Sequence, residues 1–197
     1  MDGHHLFREV RAGLSDAVLA AGPPPRPKLP APWDLRELRP GSDDAALLVR
    51  WMATPHVREF WEQAWPIERW NQVLSAQLGG DYARPYLVLR DGRPIAYLEI
   101  YRTSRDVVCR CYPARPHDLG VHLAIGELSD TGRGLGRELL RELAPALQLA
   151  DPACDRVLVE PDARNTPARK MFSGAGFTLL GEYDLGHKRA AVLLYDR

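Results

Sequence analysis

Long apolar runs are missing from this chain of 197 residues: no stretch approaches the 18 or more apolar residues that a membrane-spanning helix requires. Net charge is missing as well. Lys and Arg total 26, Asp and Glu total 26, and the pI is near 7.0, so there is no general electrostatic footprint for nucleic acid or an anionic membrane. Cysteine is scarce. Cys109, Cys111 and Cys154 form an odd set too sparse for a disulfide scaffold, which fits a reducing compartment. Asp2, Glu9 and Asp16 interrupt anything resembling a targeting peptide, and a cytoplasmic location is the expectation. Lysine occurs only at positions 28, 170 and 188, with arginine supplying the remaining basic residues, mainly a composition bias. With 45% hydrophobic residues the chain has the composition of an ordinary globular protein.

Leu6, Val10, Leu14 and Val18 recur every four residues and predict a helix from about residue 4 to 21. The proline-rich stretch from Pro23 to Pro32 then behaves as a semi-rigid extended connector, so residues 1–32 read as an appendage to a domain over 33–197. Trp33, Leu35 and Leu38 suggest a first strand, and residues 43–53 a helix capped by Ser42 or Asp43. Trp61, Trp65 and Trp70 lie among helical residues, either as core or as an aromatic wall for a substrate. Asp91-Gly92 between two apolar runs signals a hairpin over 85–101, since both turn positions want positive φ. A strand over 120–126 follows. Thr131-Gly132-Arg133-Gly134-Leu135-Gly136 leads into a helix with one apolar face, which Pro145 is expected to kink or shorten. A strand over 156–160, a helix over 166–175 and a final strand pair complete an α/β chain with a mixed sheet of about seven strands flanked by helices.

Gly132, Gly134 and Gly136 sit between a strand and a helix, where backbone N–H groups can approach an anion with help from the positive helix terminus. The same residues also fit a simple turn. Their spacing matches neither a GxxxxGK[ST] loop nor a dinucleotide fingerprint. Cys109-x-Cys111 with His117 and His122 is a poor zinc pattern, and no metal is expected.

Val157-Leu158-Val159-Glu160-Pro161-Asp162-Ala163-Arg164-Asn165, followed by Ala168, Phe172 and Gly176-Phe177, resembles the GNAT superfamily of acyl-CoA-dependent N-acyltransferases. Members carry a pyrophosphate loop of the form Q/R-x-x-G-x-G/A and a later N-x-x-A-x-x-x-Y helix ending in G-F. Here Thr131 replaces the usual Gln or Arg, and Phe172 replaces the tyrosine that often serves as general acid. The resemblance is closer to the acyltransferases of hydroxamate siderophore biosynthesis, of the aerobactin and mycobactin type. It is carried by Trp51-Met52, Pro55-His56, Trp61, Trp65-Pro66, Trp70, Gly80-Asp81-Tyr82, residues 97–101, Asp118-Leu119-Gly120-Val121-His122, residues 160–165 and Gly181-Glu182.

That resemblance implies acyl-CoA as co-substrate, with acetyl or succinyl as the acyl group, bound by residues 131–136 with Asn165, Ala168 and Phe172. Backbone N–H groups at Ala124 or Ile125, where the family bulges its strand, would hold the oxyanion. His122, Trp61, Trp65 and Asp162 would surround the acceptor, with His122 orienting its N-hydroxy group and Glu160 as the catalytic base. The spacing agrees: His122 and Glu160 interrupt or end two apolar strands flanking the glycine-loop helix, which a βαβ unit can make parallel neighbours. Burial after Val157-Leu158-Val159 is expected to raise the Glu160 pKa and improve it as a base. The expected acceptor is a hydroxylated lysine, ornithine or diamine, with an acyl carrier protein or siderophore synthetase as a further partner. The rivals are an aminoglycoside 6′-type N-acetyltransferase, for which Glu59, Glu62 and Asp81 would make an acidic cleft, and a non-catalytic acyl-CoA-binding module.

Overall fold

The computed structural model describes residues 8–197, so Leu6 of the N-terminal stripe lies outside it. In chain order the elements are α1 (Asp16–Ala20), β1 (Trp33–Glu37), α2 (Asp43–Ala53), α3 (Pro55–Trp61), α4 (Ile67–Gly79), β2 (Ala83–Arg90), β3 (Arg93–Arg102), β4 (Leu119–Ile125), α5 (Leu135–Ala150), β5 (Arg156–Val159), α6 (Thr166–Gly174), β6 (Thr178–Asp184) and β7 (Arg189–Asp196). The strands form one sheet in the order β1-β2-β3-β4-β5-β7-β6, antiparallel except at β4–β5.

Alternation along the strands feeds two cores. Tyr86, Val88, Leu98 and Ile100 face α5 and α6, where Leu139, Leu140, Leu143 and Leu147 form the buried stripe of α5. Leu87, Leu89 and Tyr97 point the other way, against Leu48, Trp51 and Met52 of α2 and Trp70 and Leu74 of α4. Each such side chain contributes roughly 1.5–3 kcal/mol by leaving water, and the sheet is consequently covered on both faces. This burial explains why Pro145 does not shorten α5, which continues to Ala150. The Asp91-Gly92 turn has the expected positive φ at both positions, 50° and 77°.

The sheet has one opening. Parallel pairing of β4 with β5 is confined to Leu119↔Val157 and Gly120↔Leu158, so beyond those pairs the two strands part and 121–125 of β4 faces the gap. Against β3 the register of β4 runs without a shift from Arg102↔Leu119 to Ala96↔Ile125. The bulge expected near Ala124 and Ile125 is therefore absent; regular pairing with β3 leaves no extra residue to insert.

The N-terminal segment departs from expectation. Among the described residues its helix covers Asp16–Ala20, begun by the Ser15 cap after Gly13 at φ 72°. Upstream, the chain lies against the turn that follows β3: Val10 N donates to Arg105 O at 2.8 Å, and Val107 N donates to Arg8 O at 3.0 Å. Downstream, the buried Arg102 side chain donates to the carbonyls of Ala21, Gly22 and Pro23. Those bonds join residues 8–23 to the body of the protein. An isolated helix with an exposed stripe has nothing to bury, whereas this path satisfies a buried guanidinium.

Candidate active site

The gap between β4 and β5 opens beside a cavity of about 330 Å³. Trp61, Trp65 and Trp70 form one wall; Glu99, His122 and Glu160 contribute polar groups, with Asn165, Ala168 and Phe172 on the α6 side. His122 and Glu99 are Cα partners across β4 and β3. His122 Nε2 lies 2.6 Å from Glu160 Oε1, and Nδ1 lies 3.5 Å from Glu99 Oε1. The Tyr97 hydroxyl donates to Glu99 Oε2 at 3.2 Å. Tyr97, Glu99 and Tyr101 share one face of β3 because strand side chains alternate. The result is a polar line along that face, closed by Glu160.

Tyr101 stacks on the His122 ring at 4.5 Å and 23°, and its hydroxyl donates to Glu160 Oε1 at 3.1 Å. Gly120 makes that stacking possible, since a Cβ there would stand 2.1 Å from the Tyr101 ring.

Glu160 is 2% exposed and densely partnered. Besides His122 and Tyr101 it receives the Arg8 guanidinium and the Lys188 ammonium, the latter at 3.1 Å. Arg8 also forms two bonds of 3.0 Å to Asp106, which is fully buried and also accepts the Tyr82 hydroxyl. Burial, the largest influence, favours the neutral acid at Glu160, but Arg8, His122 and Lys188 outweigh it and hold the carboxyl well below its usual range. The expectation of a raised Glu160 pKa is thus overturned, because burial brought cations with it. Burial likewise opposes charge on His122, yet Glu160 and Glu99 raise its pKa. At Glu99 burial is again outweighed, chiefly by His122, and the carboxyl is lowered.

The remaining expected residues occupy varied settings. Trp61 meets both Tyr97 (5.5 Å) and His122 (6.1 Å) edge-on, and Trp65 carries the Arg69 guanidinium 3.8 Å above its ring. Asp162 lines the cavity, but both its oxygens are bound by Arg164, at 3.0 and 2.9 Å. Ala124 is buried in the α2–α4 core, and Ile125 O is 3.1 Å from His56 Nε2. Asn165 caps α6 through a 3.1 Å bond from Ala168 N. Phe172 is buried against Phe177 at 5.9 Å and offers no hydroxyl.

The glycine loop divides into two parts. Thr131 closes it with a bond of 2.7 Å to Leu128 O, while Gly132, Arg133 and Gly134 are exposed and Leu135 begins α5. Gly132 and Gly134 have φ of 70° and 80°; a Cβ on the first would meet nothing within 4 Å, and on the second only Arg137 Nη2 at 3.9 Å. No side chain caps α5, so its first N–H groups are open to an anion. These features fit a CoA pyrophosphate. Gly136 is different: a Cβ there would stand 2.2 Å from Met171 Sδ, so this glycine permits α5 and α6 to approach rather than lining a cradle.

Arg8, Glu99, Tyr101 and Lys188 were not among the site residues expected from sequence. Glu99 had a visible signal, a lone charge inside the apolar run 95–101. Arg8 had none, being 152 positions from its partner Glu160.

A mixed sheet that opens between two parallel strands, with an uncapped glycine-rich helix start at one side and a polar line at the other, has the parts of an acyl-CoA-dependent acyltransferase. The chain belongs to the GNAT acetyltransferase family, whose model, described as an acetyltransferase (GNAT) domain, matches residues 41–185. It is 40% identical over 192 residues to the lysine N-acyltransferase MbtK of Mycobacterium sp. (strain MCS), spanning 98% of this chain and 78% of that one. It is 34% identical over 154 residues to the N(6)-hydroxylysine O-acetyltransferase of Escherichia coli, spanning 78% of this chain and 49% of that protein. Among solved structures, the aminoglycoside acetyltransferase AAC(6')-Ib in complex with coenzyme A is 25% identical, with a TM-score of 0.75 over 84% of this chain and 95% of that one.

Proposed function

We propose that this N-acyltransferase transfers an acetyl or succinyl group from acyl-CoA to the terminal hydroxyamino nitrogen of a lysine, ornithine or diamine, giving a hydroxamate for siderophore assembly. Residues 33–197 would form the acyltransferase domain, completed by the strap that carries Arg8. The observation that carries the reading is the Tyr97–Glu99–His122–Glu160 line in an aromatic-walled cavity beside the strand gap.

In this mechanism the thioester carbonyl lies at the gap, with the backbone N–H of Ile125, on the side of β4 turned away from β3, serving the oxyanion. The neutral hydroxylamine nitrogen attacks the carbonyl carbon and forms the C–N bond. Once bonded, the nitrogen is cationic and far more acidic, so even a carboxylate held below its usual range accepts its proton. Glu99 takes that role, because its partners are a phenol and an imidazole nitrogen at 3.5 Å. Glu160 instead anchors His122 from beneath, its charge already matched by Arg8 and Lys188. Collapse of the tetrahedral intermediate breaks the C–S bond; with phenylalanine at position 172, solvent protonates the departing thiolate.

The charge pattern disfavours a polycationic acceptor such as an aminoglycoside. Glu59, Glu62 and Asp81 do not line the cavity, and Asp81 lies 3.9 Å from Arg105. The carboxylates that do line it are paired: Glu160 with Arg8 and Lys188, Asp162 with Arg164, and Glu99 with His122. The test is thiol release from acetyl- and succinyl-CoA in the presence of N-hydroxylated amino acids, N-hydroxylated diamines, the plain amines and an aminoglycoside. Release dependent on a hydroxylamine supports the proposal. Release only with aminoglycoside, or none with any acceptor, contradicts it.

A further inference from the structure

Gln77, near the end of α4, is 3% exposed and lines the cavity, yet its side-chain oxygen has no hydrogen-bond partner among the described residues. A buried carbonyl without a donor is costly. Its position is fixed from behind: Arg84 Nη1 donates to the Gln77 backbone carbonyl at 2.7 Å, and Trp70 and Leu74 pack on the same helix. The carboxamide neighbours the Tyr97 hydroxyl, which donates to Glu99. The carboxamide therefore stands at the end of the polar line on which the acceptor nitrogen reacts, its oxygen unpartnered within the same cavity. The terminal torsion of a glutamine is broad, so the amide can turn to meet a ligand without disturbing α4.

From this we propose that Gln77 is a specificity-determining residue of the acceptor site, its side-chain oxygen accepting a hydrogen bond from the hydroxyl of the acceptor's hydroxylamine. The inference deepens, and rests on, the acceptor class proposed above. His122 is poorly placed for this task, since one ring nitrogen faces Glu160 and the other faces Glu99. The carboxylates already have donors. An uncharged amide oxygen suits a neutral O–H better than an ammonium, whose desolvation calls for a full negative charge. A plain amine in the same pose leaves the Gln77 oxygen unpaired, and a site built around a substrate hydroxyl discriminates strongly against the analogue lacking it.

The test compares the wild type with Gln77→Met and Gln77→Leu, measuring kcat/KM on an N-hydroxylated diamine and its plain amine, and Tm for each protein. The expected result is a loss of roughly tenfold to a hundredfold on the hydroxylamine, little change on the amine, and a Tm equal to or above that of the wild type because an unsatisfied buried group has gone. An equal loss on both acceptors, no loss on the hydroxylamine, or a lowered Tm in both variants would overturn the assignment. A wild type inactive on every acceptor would instead refute the proposed function.

Discussion

Arg8 supplies the sharpest structural prediction, because a residue outside the matched family domain reaches the centre of the site. Its guanidinium bridges Asp106, which is fully buried, and Glu160, which is 2% exposed. Arg8→Ala removes the shared cation and leaves two buried carboxylates, with Lys188 and His122 the remaining positively charged partners of Glu160 and the Tyr82 hydroxyl still on Asp106. Breaking a buried pair from one side destabilises by about 3–5 kcal/mol. At 2–4 °C per kcal/mol for a chain of this size, Tm should fall by roughly 6–20 °C. Loss of the cation also lets the Glu160 pKa rise, so the variant should lose stability at a higher pH than the wild type when acidified. Calorimetric melting of both proteins between pH 4 and 8 measures both effects. A Tm within about 2 °C of wild type at neutral pH, with an unchanged acid limb, would refute the proposed strap and the balancing of Glu160 by Arg8.

Other substitutions separate the remaining parts. Gly134→Val should weaken CoA binding by calorimetry, with a Tm cost of its own because valine is strained at φ 80°, whereas Gly136→Val should lower Tm through collision with Met171 and leave the CoA affinity of the folded protein near that of the wild type; equal loss of CoA affinity in the two would contradict the division of the loop. Gly120→Ala should displace the Tyr101 ring from His122 and Glu160 and lower kcat more than it changes the Kd for CoA, and an unchanged kcat would remove that stacking from the mechanism. Lowered Glu99 and Glu160 pKa values contribute stability that is present above about pH 4.3 and lost as pH falls through their native values. The raised His122 pKa contributes stability present below about pH 6.5 and lost as pH rises through its native value. His122→Asn should abolish that alkaline loss in a melting series, and its persistence would assign it elsewhere.

Sequence legibility followed the range of the interactions. The hairpin at Asp91-Gly92, the βαβ unit and the placement of His122 within β4 and of Glu160 just past the neighbouring β5 were readable because turn chemistry and apolar periodicity are local. The N-terminal helix was misjudged for the same reason: spacing of four at Leu6, Val10, Leu14 and Val18 says nothing about Arg102, which holds residues 21–23. Glu160 was recognised as a site residue, but the direction of its pKa was wrong because burial was counted and the three incoming cations were not. Gln77 carries no local pattern at all. Its significance depends on an empty hydrogen-bonding position that only the assembled cavity defines.

In the proposed mechanism the nitrogen of a hydroxylamine acceptor is acylated and Glu99 receives its proton. The most direct measurement is product analysis of wild type, Glu99→Gln and Glu160→Gln with acyl-CoA and an N-hydroxylated diamine, combining mass with the ferric colour that distinguishes a hydroxamate from an O-acyl isomer. The wild type should yield a hydroxamate, and kcat should fall by roughly 10²–10⁴ in Glu99→Gln. Glu160→Gln should show a smaller fall in kcat together with a Tm loss. An O-acyl product would contradict the claim about the attacking atom, and full turnover by folded Glu99→Gln would contradict the claim about the proton.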